Sequence, residues 1–355
     1  GTKPGLGRVT CQYRNRCMRG CPYGAYFSSN SSTLPAAEAT GNMTLMPNSI
    51  VHEIIYDEEN KKAKGVRVID AENNQSYEYF AKVIFLCSST VGSTSILMQS
   101  KSNRFPNGMG NDSGELGHNI MDHHFQVGAS GTFKGFKNKT TFGRKPAGFY
   151  IPRFRNIGGI TDRKDYIRGY QYQGGANRGF MSIADSKEEL VSYGPRFKEN
   201  IVKRDEWTAS MTGFGEILPY HDNKMTLNYD KKDQWGLPTV TFDAKIRENE
   251  ITMRKDMKIQ AEEMLERSGF KDVYGNESKY VFGNGIHEMG TARMGNDPKT
   301  SVLNANNQIH DVKNVYVTDG ACMTSAGNQN PSITYMALTA RAAKHAVDEL
   351  NKQNI

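Results

Sequence analysis

Apolar and polar residues alternate along several short segments near the start of the chain, which is the pattern of β-strands. The segments "MTLMPNSIVHEIIYD" (43–57) and "KKAKGVRVID" (61–70) alternate in this way and are joined by a polar turn. Together they predict a β-hairpin. "KVIFLC" (82–87) is instead a nearly continuous apolar run, which predicts a strand buried on both faces. The small residues of "TVGSTSILMQS" (90–100) then predict the start of a helix.

The middle of the chain consists of short alternating segments separated by Gly, Pro, Asn or Asp. Examples are "FQVGASGTF" (125–133), "GFYIPRF" (148–154) and "WTASMTGFGEI" (207–217). They predict an antiparallel sheet, and "KMTLNYDKKDQWGLPTVTF" (224–242) predicts a hairpin. A helix is predicted next, ending near Gly269. Its apolar residues recur at spacings of four, four and three: Met253, Met257, Ala261 and Met264.

The last part of the chain returns to a strand followed by a helix. "NVYVTDG" (314–320) predicts the strand, and "NPSITYMALTARAAKHAVDEL" (330–350) predicts a long helix with one apolar stripe. Asn330 is its expected N-cap and Pro331 its first helical residue. The order of elements predicts an α/β plus α+β fold. We expect part of a Rossmann-like nucleotide-binding domain at 1–124, an inserted antiparallel-sheet substrate domain at 125–280, and a return to the first domain at 281–355.

Composition and charge narrow the choice of function only slightly. The chain has 355 residues, 37% of them hydrophobic, and a formal net charge of +7. Because its basic residues are scattered, we predict no nucleic-acid partner. Two interpretations of the positive charge remain: it forms a basic face toward an acidic partner or a membrane surface, or it serves only solubility. The chain begins with "GTKPGLGR", which reads like an interior loop, so we expect an N-terminal piece and any targeting signal to be missing.

Three of the five cysteines lie within eleven positions near the start of the chain. Cys11, Cys17 and Cys21 are spaced x5 and x3, with three arginines between them. The odd total argues against a disulfide framework. A local trio suggests a metal or cluster site, although a zinc site without its fourth ligand, or inert reduced thiols, are alternatives. Cys87 and Cys322 are expected to be buried free thiols.

A histidine, an aspartate and an asparagine near the C-terminal end form the candidate catalytic set. His287 precedes the loop "GTARMG", Asp319 ends an apolar strand, and Asn330 begins the long helix. A neutral histidine can take a proton from an alcohol near pH 7, while an asparagine can hold the same oxygen without titrating. The positive end of the helix would favour an anion, such as the N1–C2=O edge of a reduced flavin. Asp319 followed by Gly320 suits a hydrogen bond to a ribose or ribityl hydroxyl.

These segments resemble a known family of enzymes. "GELGHNIMDHHF", "HEMGTARMG", "NVYVTDGACM" and "NPSITYMALTARAA" are similar to segments of the glucose–methanol–choline (GMC) flavoprotein oxidoreductases, and they occur in the family's order over nearly the whole chain. The resemblance implies FAD as cofactor. It implies that His287 takes the hydroxyl proton while hydride leaves for the flavin, and that Asn330 positions the substrate oxygen. The cofactor-binding residues that it implies are Val51, Asp319, Gly320, Asn330, Pro331 and Ser332. His123 and His124 are expected to organise the loop beside the flavin.

The cysteine segment resembles that of one branch of this family. "C-x5-C-x3-C-P-x-G-A" is similar to the catalytic subunits of membrane-associated, FAD-dependent sugar dehydrogenases. This resemblance implies a 3Fe-4S cluster on Cys11, Cys17 and Cys21, a sugar or polyol substrate, and electron transfer to a cytochrome or quinone. It also implies a cytochrome c subunit and a small chaperone-like subunit as partners, and a periplasmic or membrane-associated location.

The chain also departs from the family pattern. The Gly-x-Gly-x-x-Gly dinucleotide fingerprint is absent, because neither "GLGRVT" (5–10) nor "GMGNDSG" (108–114) has its spacing. The usual Ala-Gly of a second signature region is Ser88-Ser89 here. We therefore expect the C-terminal part of a longer enzyme whose missing segment binds FAD. Two alternatives stay open: an oxygen-using oxidase of the same family without a cluster, and a non-catalytic fragment.

Overall fold

The computed structural model describes residues 9–14, 17, 20–139, 148–178, 194–201 and 206–355. In chain order its helices and strands are α1 (Leu34–Glu38), β1 (Ser49–Asp57), β2 (Lys62–Asp70), β3 (Ser76–Phe80), β4 (Ile84–Leu86), α2 (Ser89–Gln99), β5 (Val127–Phe133), β6 (Gly148–Ile151), β7 (Tyr170–Asn177), α3 (Pro195–Ile201), β8 (Trp207–Gly215), β9 (Lys224–Lys232), β10 (Pro238–Asp243), α4 (Glu248–Arg267), β11 (Lys271–Glu277), β12 (Gln308–Ile309), β13 (Val312–Val317) and α5 (Ser332–Asn351). None of the described helices combines the length and apolar character needed to cross a membrane.

The first core lies around a small sheet that the chain leaves and later re-enters. β4 pairs in parallel with β13, which in turn pairs with β12. β4 and β13 are neighbours in the sheet although about 225 residues separate them in the sequence. β4 is the predicted buried run, and its residues Ile84 and Leu86 pack in one core with residues of α2 and β13. The predicted hairpin is confirmed as β1 and β2, with β3 at the edge.

The second core lies between a five-stranded antiparallel sheet and helix α4. The strand order is β11-β5-β8-β7-β6. Met253, Met257 and Ala261 of α4 are fully buried against the sheet, as the predicted helix requires. β9 and β10 form the predicted hairpin.

The two faces of β7 differ in chemistry because side chains alternate along a strand. Tyr170 and Tyr172 point toward α4, where their hydroxyls donate to Asp256 and to the carbonyl of Met257. Gln173 lies on the opposite face. Tyr150 of β6 is the register partner of Gln173 and shares that face. The face opposite α4 is therefore polar, and it borders the candidate site.

Candidate active site

The structure brings His287 and Asn330 together from separate loops. His287 lies in the loop after β11, and Asn330 lies two residues before α5. The amide nitrogen Nδ2 of Asn330 is 3.4 Å from the ring nitrogen Nε2 of His287. Asn330 is exposed and His287 is partly exposed, so small molecules can reach both side chains. The two residues that the sequence predicted as a pair therefore lie side by side.

The polar face of the antiparallel sheet fixes the orientation of the Asn330 amide. The Tyr150 hydroxyl donates to its oxygen at 2.5 Å, and Nε2 of Gln173 donates to the same oxygen at 2.6 Å. With the oxygen held by two donors, the amide nitrogen points toward His287. An amide nitrogen donates hydrogen bonds and does not accept them. The Nε2 atom of His287 therefore faces Asn330 as an acceptor.

A second histidine lies directly behind His287. Nδ1 of His123 is 2.9 Å from Nδ1 of His287, and Nε2 of His123 is 3.2 Å from the carbonyl oxygen of Ala326. The His123 ring is fully buried and packs edge-on against Phe214. His123 was expected only to organise the loop, and the structure places its ring in contact with the predicted base.

A single buried carboxylate holds the backbone around both histidines. Asp122 is completely inaccessible to solvent and accepts five hydrogen bonds. Its Oδ1 binds the backbone N–H groups of His123 at 2.7 Å and of His287 at 3.1 Å. Its Oδ2 binds the Tyr280 hydroxyl at 2.9 Å and the N–H groups of Gly283 and Gly285 at 3.0 Å each. Residues about 160 positions apart are thereby tied to one side chain.

The environment keeps His287 neutral near pH 7. Burial, and then the neighbouring His123, lower the pKa of His287 from 6.5 to about 4. Burial also lowers the pKa of His123. A neutral imidazole retains one unprotonated nitrogen and can accept a proton. His287 is therefore in the form that a general base requires at physiological pH.

The predicted cofactor-binding residues have different surroundings. Asp319 is mostly buried; its carboxylate caps the short 3-10 helix Gly320–Cys322 and accepts a hydrogen bond from the Ser93 hydroxyl. A Cβ on Gly320 would lie 2.4 Å from the carbonyl oxygen of Glu288, so protein packing alone requires glycine there. Val51 is partly buried within β1. These positions have protein partners, and their contacts to a cofactor stay predictions.

The start of α5 corrects one prediction. The helix begins at Ser332, with Pro331 at the cap position and no side-chain cap. Asn330 is not the N-cap, because Tyr150 and Gln173 hold its side chain instead. The uncapped first turn is open at Ser332, which is exposed. Its backbone N–H groups and the helix dipole suit a negatively charged group such as the pyrimidine edge of a flavin.

The three clustered cysteines are free thiols in the structure, and each is partly buried. No three His, Cys, Asp or Glu side chains among the described residues lie close enough together to hold a metal ion. As the structure stands, the sulfur positions of Cys11, Cys17 and Cys21 do not fit a cluster. Hydrogen bonds from backbone N–H groups, that of Tyr23 foremost, lower the pKa of Cys21. Arg16 and Arg19 lie outside the described residues.

The other two cysteines were predicted to be buried. Cys322 is fully buried, as predicted. Cys87 is exposed, because it follows the carboxyl end of β4 where the strand emerges, and its sulfur lies 3.3 Å from the Thr318 hydroxyl. The prediction for Cys87 was therefore wrong.

Sequence reasoning missed Tyr150, Gln173 and Asp122. The segment "YQYQ" (170–173) alternates aromatic and amide side chains, which indicates that one face of this strand is polar. This alternation predicts which side chains share one face of the strand, but not which part of the protein that face contacts. Only the packing of α4 against the tyrosines reveals that the glutamines face the loops of His287 and Asn330.

Comparisons with known proteins agree with this picture. Two family models, both described as GMC oxidoreductase, match residues 8–125 and 219–339. The 2-methyl-1,2-propanediol dehydrogenase of Mycolicibacterium austroafricanum is 28% identical over 97% of this chain and 61% of its own length. The fructose dehydrogenase large subunit of Gluconobacter japonicus is 26% identical over 99% of this chain and 62% of its own length. The chain thus spans roughly three fifths of these relatives.

The solved structures support the fold. A formate oxidase of Aspergillus oryzae RIB40 superimposes with a TM-score of 0.58 at 16% identity, covering 91% of this chain and 64% of its own. The predicted fold class, an α/β part of an FAD-binding fold with an antiparallel-sheet region, is confirmed. Its two family matches show that the chain belongs to the GMC oxidoreductase family.

Proposed function

We propose that the protein is an FAD-dependent oxidoreductase that oxidises a CH–OH group of a sugar or polyol. The observation that carries this proposal is the hydrogen-bonding polarity of the catalytic pair. His287 Nε2 is an acceptor and Asn330 Nδ2 is a donor, 3.4 Å apart. A hydroxyl group both donates and accepts, so one alcohol oxygen can satisfy both side chains at once.

The residues of this chain then divide the work on the alcohol. FAD, when bound, supplies the two-electron acceptor that takes the hydride from the carbon. His287 accepts the hydroxyl proton on Nε2, which is the unprotonated nitrogen of the neutral imidazole. Asn330 donates to the oxygen as negative charge develops there, which stabilises the transition state more than the ground state. The alcohol loses a proton and a hydride and becomes a carbonyl.

The open first turn of α5 supports FAD as the cofactor. Ser332 would place its backbone N–H against the pyrimidine edge, beside Asn330 and His287. Asp319 and Gly320 precede this turn by about a dozen residues and would lie toward the ribityl chain, with Val51 toward the adenine. We infer that these residues line the cofactor side of the site.

Several observations support a substrate with more than one oxygen. Tyr150 and Gln173 present a hydroxyl and an amide beside Asn330, and Tyr150 is 58% exposed. Groups of this kind recognise neighbouring hydroxyls of a polyol better than a hydrocarbon chain. The names of the relatives, a diol dehydrogenase and a fructose dehydrogenase among them, support the same class.

The electron acceptor is a separate part of the proposal. The x5 and x3 spacing of Cys11, Cys17 and Cys21 in the sequence supports a 3Fe-4S cluster, whereas the separation of these thiols in the structure speaks against it. No step described above depends on it. Iron and acid-labile sulfide in anaerobically purified full-length protein would support a dehydrogenase that passes electrons to a cytochrome or quinone. Absence of both, with hydrogen peroxide as product, would support an oxidase.

A substrate panel tests the main proposal. Full-length protein would be assayed with sugars and polyols, a dye acceptor, and the flavin absorbance as a direct readout. We expect flavin bleaching with at least one polyol, and a loss of roughly 10²–10⁴ in the rate of bleaching in His287→Ala. His310→Ala is the matched control, since His310 pairs with Ser301 away from the site. A loss below tenfold in His287→Ala would remove His287 from the role of base, and the absence of bound flavin would overturn the proposal.

A further inference from the structure

We infer that His123 is a positioning residue that holds His287 in the one neutral form able to accept a substrate proton. A neutral imidazole carries a single proton, on either Nδ1 or Nε2. Only the form with the proton on Nδ1 leaves Nε2 free as an acceptor beside Asn330. The structure supplies a partner for that Nδ1 proton.

The argument starts from a backbone carbonyl, which can only accept a hydrogen bond. The carbonyl oxygen of Ala326 is 3.2 Å from Nε2 of His123, so this nitrogen must carry the proton of a neutral His123. Nδ1 of His123 is then unprotonated. It lies 2.9 Å from Nδ1 of His287, and a hydrogen bond at that distance requires His287 to be the donor. The proton of His287 is thereby assigned to Nδ1.

A second set of contacts leads to the same form from the other side of the ring. Tyr150 and Gln173 hold the oxygen of the Asn330 amide, which turns its nitrogen toward Nε2 of His287. That nitrogen can only donate, so Nε2 must be unprotonated. The two arguments share no residue except His287, and both give the Nδ1-protonated form.

The surroundings of His123 suit a rigid role. Its ring is fully buried, whereas His287 remains partly open to the solvent. Asp122 accepts from the backbone N–H of both histidines and so fixes the spacing between their rings. Phe214 packs edge-on against His123 and limits rotation of its ring. His123 is buried behind His287 and contacts its ring, so it acts through the base and not on the substrate.

Nitrogen-15 NMR of histidine-labelled chain tests the assignment directly, because protonated and unprotonated ring nitrogens have distinct chemical shifts. At pH 7 we expect His287 to show a protonated Nδ1 and an unprotonated Nε2. In His123→Leu the acceptor is lost, and we expect a mixture of both neutral forms. In His123→Asn the side-chain oxygen can lie near the former Nδ1 and should restore the single form. His345→Leu, distant from the site beside Tyr316, is the matched control.

Kinetics of the full-length enzyme give a second readout, and this consequence rests on the proposed function. We expect kcat/KM to fall roughly 10–100-fold in His123→Leu, through kcat with KM nearly unchanged, and to recover largely in His123→Asn.

Two results would overturn the inference. The first is a wild-type His287 that carries its proton on Nε2. The second is a His123→Leu variant in which His287 is still protonated only on Nδ1 and kcat is unchanged. The NMR result needs neither flavin nor turnover. If His287 is protonated on Nδ1 but the enzyme is inactive, the proposed function is refuted and the inference about His123 is not. If His123→Leu does not fold, the wild-type spectrum and His123→Asn still decide.

Discussion

Replacing Asp122 with asparagine is the most direct test of how the site is held together. The substitution keeps the size of the side chain but changes one oxygen into an NH₂ group. In the wild type, Oδ1 accepts two hydrogen bonds and Oδ2 accepts three, from four backbone N–H groups and one hydroxyl. Whichever way the new amide turns, its nitrogen faces at least two N–H or O–H donors that then lack an acceptor.

The size of the effect follows from the burial of the site. Asp122 is inaccessible to solvent, so water cannot replace the lost acceptor. Each buried donor left without a partner costs about 1–3 kcal/mol. At least two such donors give an expected loss of roughly 2–6 kcal/mol in the free energy of unfolding. That is a large part of the 5–15 kcal/mol typical of a folded domain.

Urea unfolding followed by tryptophan fluorescence and circular dichroism measures this loss. Asp165→Asn is the matched control, since the Asp165 side chain is 47% exposed and pairs with Arg163 at the surface. We expect the control to cost far less, because exposed ion pairs contribute little to stability. If Asp122→Asn cost no more than Asp165→Asn, the carboxylate would not be the support that its five contacts suggest.

Three further outcomes are expected. The free energy of unfolding should fall between pH 7 and pH 5 by about 1–2 kcal/mol from His287 alone, because its pKa is about 4 when folded and 6.5 when unfolded, so the unfolded chain binds the proton first. His123 and His124, whose pKa values burial also lowers, add to this fall. Gly320→Ala should cost about 1–3 kcal/mol, since the new Cβ meets the Glu288 carbonyl at 2.4 Å, whereas Gly92→Ala in α2, whose new Cβ would lie 3.2 Å from the Cβ of Ser88, should cost less. Met257→Ala should cost about 2–5 kcal/mol through a cavity beneath the five-stranded sheet. Urea unfolding measures all three.

Each outcome can fail in its own way. Stability that stays constant from pH 7 to pH 5 would mean that neither His287 nor the two buried histidines has a lowered pKa when folded. Equal costs for Gly320→Ala and Gly92→Ala would mean that the loop of Glu288 moves aside easily. A cost for Met257→Ala no larger than for Met336→Ala, whose side chain is 47% exposed, would mean that the α4 core collapses around the gap.

Local sequence patterns predicted the elements that depend on local periodicity. The hairpin of β1 and β2, the buried strand β4 and helix α4 follow from alternation, an apolar run and helical spacing. The pairing of His287 with Asn330 came from the family resemblance, because nothing in a sequence relates two loops 43 residues apart.

The contacts that hold His287 and Asn330 in place were not predictable, because they arise from tertiary packing. Asn330 looked like a helix cap, since asparagine often caps the helix that follows it. Tyr150 and Gln173 compete for that side chain and hold it, although they lie more than 150 positions away. The contact between His123 and His287 depends likewise on Asp122, which accepts from the N–H of the adjacent His123 and from four donors about 160 positions further along the chain.

The parallel pairing of β4 with β13 has a consequence for biosynthesis. Ribosomes add roughly 5–20 residues per second, and about 230 residues separate the paired positions Leu86 and Val317. β4 therefore emerges roughly 10–50 s before its partner is made. Among the described strands only β13 pairs with β4. During translation this apolar strand exposes an edge to which neighbouring nascent chains can add.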